Sequence, residues 1–262
     1  MAGYNPLSMH SINIGGKNTW TDWHLIAEER PSFARPSKKT NYVDIPGLSG
    51  SLNFSDSLTG YPTYNDREGS WTFKVSNDYW HDGYSWSELI NEIADHLDET
   101  KQIAILEDDE MFFYVGSFEL SEYKADHPWG TVIIKYRVNP YKWSILQSTD
   151  DWLWDPFRFD IGVIQKTIYN RRQIPANTWL EVPVNYQSTR SRSPICPHIL
   201  VESENNTGVD FHFINPDLKI DTIGHLDNGD KIEPSLIVTG NNCKLYFKKK
   251  STVSVVFRSG EL

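Results

Sequence analysis

The chain has 262 residues, of which 39% are hydrophobic and 23% charged, close to the averages of globular proteins. This length can bury a sizeable core in one large or two ordinary domains, so no metal or disulfide is needed to hold the fold together. The formal net charge of −10 argues against a general nucleic-acid binder.

The N-terminal sequence "MAGYNPLSMHSINIGG" has neither a charged region nor a long apolar run, so it does not predict a secretory signal. No run approaches the roughly 20 apolar residues that cross a bilayer, and no membrane insertion is expected. Cys196 and Cys243 could pair in an oxidising compartment. We interpret them instead as two buried thiols of a protein made in a reducing cytoplasm, because no secretory signal precedes them.

The first predicted elements are strands. "SINIGGKNT" predicts a strand that enters a Gly-Gly turn, and "NYVDIPG" predicts one that ends at the turn pair Pro46-Gly47. "SWTFKVS" alternates apolar and polar residues as a half-buried strand does. Between these strands lies a long polar stretch, residues 47–67, with three glycines, a second proline and little charge before Asp66. The sequence predicts an irregular connection there.

One helix is predicted, over residues 84–100, "YSWSELINEIADHLDET". Ser85 and Glu88 have the spacing of a capping box, and Tyr84 and Leu89 that of a hydrophobic staple. One apolar stripe recurs at three- and four-residue spacing, as expected for one buried helix face. The residues of this stripe are Trp86, Leu89, Ile90, Ile93, Ala94 and Leu97.

A hairpin follows, in which "QIAIL" and "MFFYVGSFEL" flank the charged sequence "EDDE" at residues 107–110. A glycosidase needs two carboxylates that face each other across a cleft, whereas four in a row at a hairpin tip are typical of a solvated turn. We therefore expect these carboxylates to point into water. Calcium binding is a weaker alternative, because the EF-hand spacing is absent.

The strand "TVIIKYRV" stops at Asn139-Pro140, since proline cannot donate to a ladder. The irregular polar sequence that follows predicts a domain boundary near residue 142. Residues 1–142 carry 12 basic and 21 acidic residues, and residues 143–262 carry 13 and 14, so the acidity belongs to the first half. Several strands and one helix make the first domain α+β.

The second half, residues 143–262, contains no convincing helix. Short predicted strands follow one another at fairly even spacing, separated by Gly, Asn and Pro, which is typical of a β-sandwich. Their sequences are "FRFDIGV", "TWLEVPVNY", "HILVES", "GVDFHFI", "LKIDTI", "SLIVTG", "CKLYFKK" and "STVSVVFR". "FKKK" at 247–250 resembles the turn of a hairpin between the last two strands, where lysines discourage edge pairing.

The sequence carries no catalytic signature. The eight histidines show no ligand spacing such as H-E-x-x-H, and the cysteines have no CxxC partner. There is no G-x-S-x-G, no Walker loop and no dinucleotide fingerprint. We therefore assign no catalytic, cofactor-binding or metal-binding residue, expect no cofactor, and do not expect an enzyme.

Two features of the second half leave alternatives open. Trp152 and Trp154 lie two residues apart, so on a strand both rings would face one side and form a sugar platform, although core or interdomain packing is the commoner use. "STRSRS" at 188–193 is basic and polar. It could touch phosphate, but we interpret it as a surface loop.

The stretch from residue 43 to 75 resembles the signature of the distal tail protein family (Dit) of siphophages and prophages of Gram-positive hosts. That signature combines a D-x-P-G turn, a G-x-L-(D/N)-x-(S/T) stretch, and a tyrosine with N-x-R before an aromatic strand. The matching residues are Asp44, Pro46, Gly47, Gly50, Leu52, Asn53, Ser55, Tyr64, Asn65 and Arg67. The chain departs from the family at Asp66 and in the unusually aromatic continuation, Trp71 and Phe73.

Further along the chain, "NPYKW" at 139–143 resembles the family's P-Y-K junction, and Gly240 and Asn242 match a G-x-N turn before a terminal hairpin. The resemblance implies a mainly β protein in its compact form. It implies a ring-forming β-sandwich or split-barrel domain with one helix at 1–142, and a galectin-like β-sandwich at 143–262.

The function implied by the resemblance is structural. Such proteins form a homo-hexameric ring at the distal end of the virion tail, in the tail tip or baseplate used for host adsorption. The ring joins the tail tube protein to the tail-tip protein and to a receptor-binding protein or adhesin, and DNA passes through its lumen without specific binding. The chain would be made in the cytoplasm of the bacterial host.

Two hypotheses follow from this resemblance. Residues 47–67 pack at a ring-closing subunit contact, because a long loop is held in place when a neighbour covers it. Part of the acidic charge of the first half faces the channel, where it repels DNA phosphates. The alternatives are a carbohydrate-binding module that recognises host polysaccharide through the second half, and, with little support, a glycoside hydrolase.

Overall fold

The computed structural model describes residues 10–57, 59–76, 85–126, 129–147, 150, 170–181, 194–203, 206–232, 236–239, 243–258 and 260–262. In this part of the chain the protein is mainly β, with several antiparallel sheets and one α-helix, so the predicted fold class is confirmed. The chain divides into two compact units. The first contains Met1–Ser55 and Pro62–Lys142, and the second contains Asp56–Tyr61 and Trp143–Leu262.

Among the described residues up to the unit boundary, the elements are ten strands, one α-helix and a short 3-10 helix at Glu107–Asp109. They are β1 (Ile12–Ile14), β2 (Lys17–Asn18), β3 (Ile26–Ala27), β4 (Tyr42–Asp44), β5 (Ser51–Asn53), β6 (Arg67–Ser76), α1 (Trp86–Leu97), β7 (Gln102–Leu106), β8 (Phe112–Ala125), β9 (Trp129–Val138) and β10 (Lys142–Ser144). The predicted β7–β8 hairpin is confirmed, and β9 ends just before Asn139-Pro140.

Seven strands of the first unit form an antiparallel sheet in the order β2-β1-β7-β8-β9-β6-β3. The long strands β6 and β9 pair over their whole length, from Arg67 opposite Val138 to Ser76 opposite Trp129. Phe73 on β6 and Ile134 on β9 are fully buried, as the alternation of apolar and polar residues predicts. One face of the sheet therefore holds the core of this unit.

Helix α1 covers this core. Ser85 caps it, with the Glu88 backbone N donating to Ser85 Oγ and the Ser85 backbone N donating to the Glu88 carboxylate, so the predicted capping box is confirmed. These bonds to Ser85 lower the pKa of Glu88. Four residues of the predicted stripe, Leu89, Ile90, Ile93 and Leu97, are buried. Tyr84, the predicted staple residue, lies outside the described residues.

In the part of the chain that the structure describes, the second unit contains nine strands. They are β11 (Arg172–Ile174), β12 (Thr178–Glu181), β13 (His198–Ser203), β14 (Val209–Asn215), β15 (Ile220–Leu226), β16 (Gly229–Ile232), β17 (Lys244–Phe247), β18 (Ser251–Val256) and β19 (Gly260–Glu261). Two four-stranded sheets run in the orders β11-β18-β13-β16 and β12-β17-β14-β15. A shared core joins them, with Val201 from the first sheet and Phe213 from the second fully or almost fully buried.

The predicted hairpin around "FKKK" is wrong. β17 pairs with β12 and β14, whereas β18 pairs with β11 and β13, so residues 248–250 cross from one sheet to the other. Both strands are apolar enough to pair with each other, but each buries its face against a different sheet. "SLIVTG" forms one isolated bridge, Val238 with Ile195, and no strand in the described residues 236–239.

Candidate functional site

The most unusual surface of the described chain is a projecting segment, residues 37–54, which we call the arm. All 18 of these consecutive residues are exposed. Within the arm, β4 and β5 pair only with each other and form a separate two-stranded sheet. The predicted strand in "NYVDIPG" contains β4, whereas β5 lies in the stretch predicted to be irregular and was missed. The short alternating run "SLNF" after Pro46-Gly47 was the signal for β5.

Local hydrogen bonds explain why the hairpin forms. The Leu48 backbone N donates to the Ile45 carbonyl at 3.0 Å, and Gly47 has a φ of 90°. Proline in the second position and a left-handed glycine in the third are the residues that a type II turn requires. Ser51 Oγ donates to Asp44 Oδ1 at 2.5 Å across the two strands. The Dit-like residues of this stretch therefore shape the turn and its pairing.

The arm is apolar as well as exposed. It holds six of the twelve exposed large apolar side chains in the described part of the chain. They are Tyr42, Val43, Ile45, Leu48, Leu52 and Phe54, with exposures from 39% to 59%. A two-stranded hairpin alone is marginally stable in water, and a contiguous apolar patch marks an interaction surface. The arm is therefore the candidate functional site, and its chemistry is binding.

Residues 31–34, which we call the root, precede the arm and are fixed in the first unit. Phe33 stacks on Tyr114 with ring centroids 3.8 Å apart and meets the rings of Trp71 and Tyr136 edge-on. Trp71 Nε1 donates to the Ser32 carbonyl at 2.9 Å, and the Ala34 backbone N donates to the Tyr136 hydroxyl at 2.9 Å. The arm thus projects from a firmly packed base.

Arg67, the arginine of the N-x-R motif, lies beneath this base with only 5% of its surface exposed. Its Nε donates to the Pro140 carbonyl at 2.9 Å and its Nη1 to the Ala34 carbonyl at 3.3 Å. The guanidinium lies 5.4 Å from the centre of the Tyr114 ring. Burial lowers the pKa of Arg67; Tyr114 and Tyr136 raise it, and Arg35 lowers it further.

The other motif residues hold the two ends of the arm together. Lys38 and Tyr64 form an isolated antiparallel bridge, and the Asn65 side chain donates to Ser37 Oγ at 2.9 Å. Tyr64 also packs edge-on against Tyr141. The motif therefore brings the outgoing and returning chain together, although its residues lie more than twenty positions apart.

Part of the stretch predicted to lie at a subunit contact packs elsewhere. Asp56–Tyr61 belongs to the second unit, where a Cβ added to Gly60 would lie 3.3 Å from Cδ2 of Leu218. Among the described residues of 47–67, the exposed large apolar side chains are Leu48, Leu52 and Phe54, and the hypothesis of an intersubunit contact now rests on that part of the stretch.

The prediction that the "EDDE" carboxylates point into water is wrong for three of the four. Glu107 accepts from the Ser11 backbone N at 2.8 Å and from Ser11 Oγ at 2.9 Å. Asp108 pairs with His10 and Arg30, and Asp109 pairs with Lys142 at 2.7 Å. These carboxylates attach both ends of the first unit's chain to the β7–β8 connection. Their partners are distant in sequence, so local reasoning missed them.

The remaining candidates include the two cysteines and several residues outside the described ranges. Cys243 is buried, Cys196 is exposed, and no disulfide joins them, so the expectation of two buried thiols is wrong for Cys196. Burial raises the pKa of the Cys243 thiol. Within the described ranges, no group of three His, Cys, Asp or Glu side chains is placed to hold a metal ion. Trp152, Trp154, residues 188–193, Gly240 and Asn242 lie outside these ranges.

Among the described residues, no helix is long and apolar enough to cross a membrane. No protein-family model matches the sequence, and no curated protein matches it.

A solved structure does match the fold. The Dit protein of phage SPP1, described as a paradigm of the hub adsorption apparatus in phages that infect Gram-positive bacteria, aligns with 96% of this chain and 99% of its own. The TM-score is 0.57 and the sequence identity is 13%. At this identity the likeness shows a shared fold over nearly the whole chain. The resemblance noted in the motif residues thus extends to a Dit-like fold.

Proposed function

We propose that this protein is a structural hub of a phage tail tip or baseplate. In this proposal, copies of the chain form a homo-hexameric ring at the distal end of the virion tail. The ring joins the tail tube protein to the tail-tip protein and to a receptor-binding protein or adhesin, and DNA passes through its lumen. Residues 1–142 form the ring domain and 143–262 a galectin-like domain. No catalytic role is assigned.

The observation that carries the proposal is the exposed arm on a Dit-like fold. Apolar area removed from water stabilises an interface by about 25 cal/mol per Å². The arm offers such area, because six of its large apolar side chains are exposed and its two strands pair only with each other. A heterologous contact, in which the arm of one copy lies on a different surface of the next copy, closes into a ring when the rotation between copies allows it. The fold and the arm together favour a ring-forming hub.

The acidic charge of the first half suits the bore of such a ring. Exposed carboxylates on and just after α1, such as Glu88, Asp95 and Asp98, supply a surface that repels phosphates. We propose that part of this charge faces the channel. A map of the assembled ring should show an acidic bore, and a basic bore would contradict this part of the proposal.

The arm is tested by substituting two of its apolar residues. We expect the double variant Leu48→Asp/Leu52→Asp to remain monomeric, because two desolvated carboxylates in the contact cost more than the apolar area provides. Sedimentation velocity of the full chain measures this. Ile223→Asp is the matched control, since Ile223 on β15 is 76% exposed but lies outside the arm. If the double variant assembles as the unmodified protein does, the arm is not the contact.

A second candidate function, saccharide binding by the second unit, is favoured by one specific observation. Trp179, Tyr246 and His212 occupy one row across β12, β17 and β14, with the Trp179 ring 4.9 Å from Tyr246 and 5.5 Å from His212. Trp179 is 43% exposed. His212 pairs with Asp221 at 2.6 Å, which provides polar groups beside an aromatic face. A ring face flanked by polar groups is an arrangement that suits a sugar.

A glycan array with the full chain separates the two functions. Saccharide binding predicts signals that disappear in Trp179→Ala, whereas the hub function predicts assembly that Trp179→Ala leaves unchanged. An array without specific signals would rule out the second candidate and leave the first untouched.

A further inference from the structure

A basic cleft of about 490 Å³ opens where the arm joins the first unit. The segments just before the arm and just after it, together with β9, form its walls. Its lining includes four basic and two acidic residues: Arg35, Lys39, Arg67 and Arg137, with Asp66 and Glu68. This surplus of positive charge stands in a half of the chain that carries 12 basic and 21 acidic residues.

The two acidic residues of the cleft are already engaged. Arg137 Nε lies 2.9 Å from Asp66 Oδ2 and 3.4 Å from Glu68 Oε1. One guanidinium balances only one of the two carboxylates, so the lining keeps a net formal charge of +2, and neither carboxylate forms an ion pair with Arg35, Lys39 or Arg67. The surplus positive charge is therefore concentrated on Arg35, Lys39 and Arg67.

The positive charge of Arg67 has no counter-charge among the described residues. Arg67 as a whole residue is only 5% exposed, and its guanidinium donates to two carbonyl oxygens and forms no ion pair with a carboxylate of the described residues. Its Nη2 has no hydrogen-bond partner there. Arginine stays protonated in proteins, and a buried charge is costly unless it is compensated. Arg35, which is exposed, adds a second positive charge close enough to disfavour the first.

We propose that this cleft binds a carboxylate side chain from a neighbouring copy of this chain. The inference rests on the proposed ring. The Arg35 and Lys39 side chains bind the incoming carboxylate at the mouth of the cleft, and the buried charge of Arg67 adds its potential behind them. The arm supplies the apolar contact, and the cleft at its base supplies the polar contact that fixes the register of the two copies.

Charge complementarity selects this occupant. The chain has a net charge of −10, so a neighbouring copy has more carboxylates than basic groups to offer to the cleft. The cleft is also contiguous with the arm, since Lys39 lies in the arm and Arg35 two residues before it. A neighbour that covers the arm therefore comes within reach of the cleft. A charge-assisted hydrogen bond that is buried at the edge of the contact strengthens binding more than an exposed ion pair does.

The test uses the full chain with Arg35→Gln and Lys39→Gln combined, because both residues are exposed and their loss leaves the fold intact. The matched control combines Arg172→Gln and Lys101→Gln, which remove the same two charges at other exposed positions. We expect the dissociation constant of the assembly to rise about tenfold or more in the cleft variant and to stay within about twofold in the control. The weakening of assembly by added sodium chloride should be smaller in the cleft variant than in the unmodified protein.

Each other outcome overturns a distinct claim. Assembly of the cleft variant with unchanged affinity and salt dependence would refute the inference and leave the ring intact. Sulfate binding, measured by calorimetry, that is lost in the cleft variant while assembly is unchanged would show that the cleft serves a free anion. An unmodified chain that stays monomeric would refute the proposed function and the inference with it.

Discussion

The root and the arm are adjacent parts of one chain, yet they have opposite relations to solvent. Phe33 in the root is 9% exposed and contacts three aromatic rings, whereas Phe54 in the arm is 44% exposed. Both segments are rich in apolar and aromatic residues, so composition does not separate them. The difference is that the core of the first unit has a place for the root and none for the arm.

This difference indicates which apolar side chains need a partner molecule in order to be buried. Burial of a large side chain contributes to folding only where the protein's own structure covers it. In the root, that stabilisation is realised within one copy. In the arm, the same kind of side chain remains available for association. In the proposed hub the root governs stability and the arm governs assembly, and a set of paired substitutions can separate the two roles.

The largest expected effect comes from the pair Phe33→Ala and Phe54→Ala. Phe33→Ala should lower the free energy of unfolding of the first unit by about 3–5 kcal/mol, because it opens a cavity among packed rings. Phe54→Ala should change it by less than about 0.5 kcal/mol. Hydrogen exchange of the β6 and β9 amides in urea measures both changes in unfolding free energy, at protein concentrations too low for the chain to assemble. Equal destabilisation by the two variants would erase the distinction between root and arm.

The next effect concerns Arg67, the buried arginine beneath the root. Arg67→Met keeps the side-chain volume beside Tyr114 but leaves the Pro140 and Ala34 carbonyls without their donor. We expect a loss of about 1–3 kcal/mol in the same exchange measurement. Arg137→Met, which replaces a side chain that is 65% exposed, should change the free energy of unfolding by less than about 0.5 kcal/mol. A larger effect at Arg137 than at Arg67 would contradict the role given to the buried group.

Two glycines compare the arm with a hairpin inside the folded sheet. Gly47 in the arm and Gly16 between β1 and β2 have φ values of 90° and 91°, and a Cβ at either would meet nothing within 4 Å. Substitution by alanine should therefore cost only backbone strain, about 1 kcal/mol at each site. Gly16→Ala should lower the stability of the first unit, measured by hydrogen exchange. Gly47→Ala should weaken assembly, measured by sedimentation. If Gly47→Ala instead lowered the stability of the first unit and Gly16→Ala weakened assembly, the comparison would be contradicted.

The smallest effect is expected for the exposed pair of His225 and Asp210. Unlike the side chains of the arm, each of these residues has its partner in the same chain. A hydrogen bond with Asp210 raises the pKa of His225, opposed by partial desolvation, and lowers the pKa of Asp210. The stabilisation from His225 is present below its unfolded pKa of about 6.5 and is lost as pH rises through the higher folded pKa. An NMR titration should show the His225 midpoint falling in Asp210→Asn. An unchanged midpoint would mean that the pair does not form in solution.

Much of the fold was predictable because it depends on local or periodic patterns. The capping box of α1 requires residues three positions apart, and β6 and β9 follow simple alternation. The errors arose where distant partners decide the outcome. "EDDE" binds Ser11, Arg30 and Lys142, none of which is near in sequence.

The position of the candidate site in the sequence was predictable, but its three-dimensional structure was not. The motif residues marked the stretch, yet the burial of Arg67 and the exposure of Leu48 depend on the packing of the whole unit. The sheet partners of β17 and β18 likewise follow from the sandwich and not from either strand's own residues.

The central claim is that copies of this chain close into a ring through the arm. The most direct measurement is the mass of the purified full chain by native mass spectrometry, together with an electron-microscopy image of the same sample. The account predicts six times the 30.3 kDa of one chain and a ring with a central opening. A particle that keeps the mass of a single chain at high protein concentration, with no ring in the images, would contradict it.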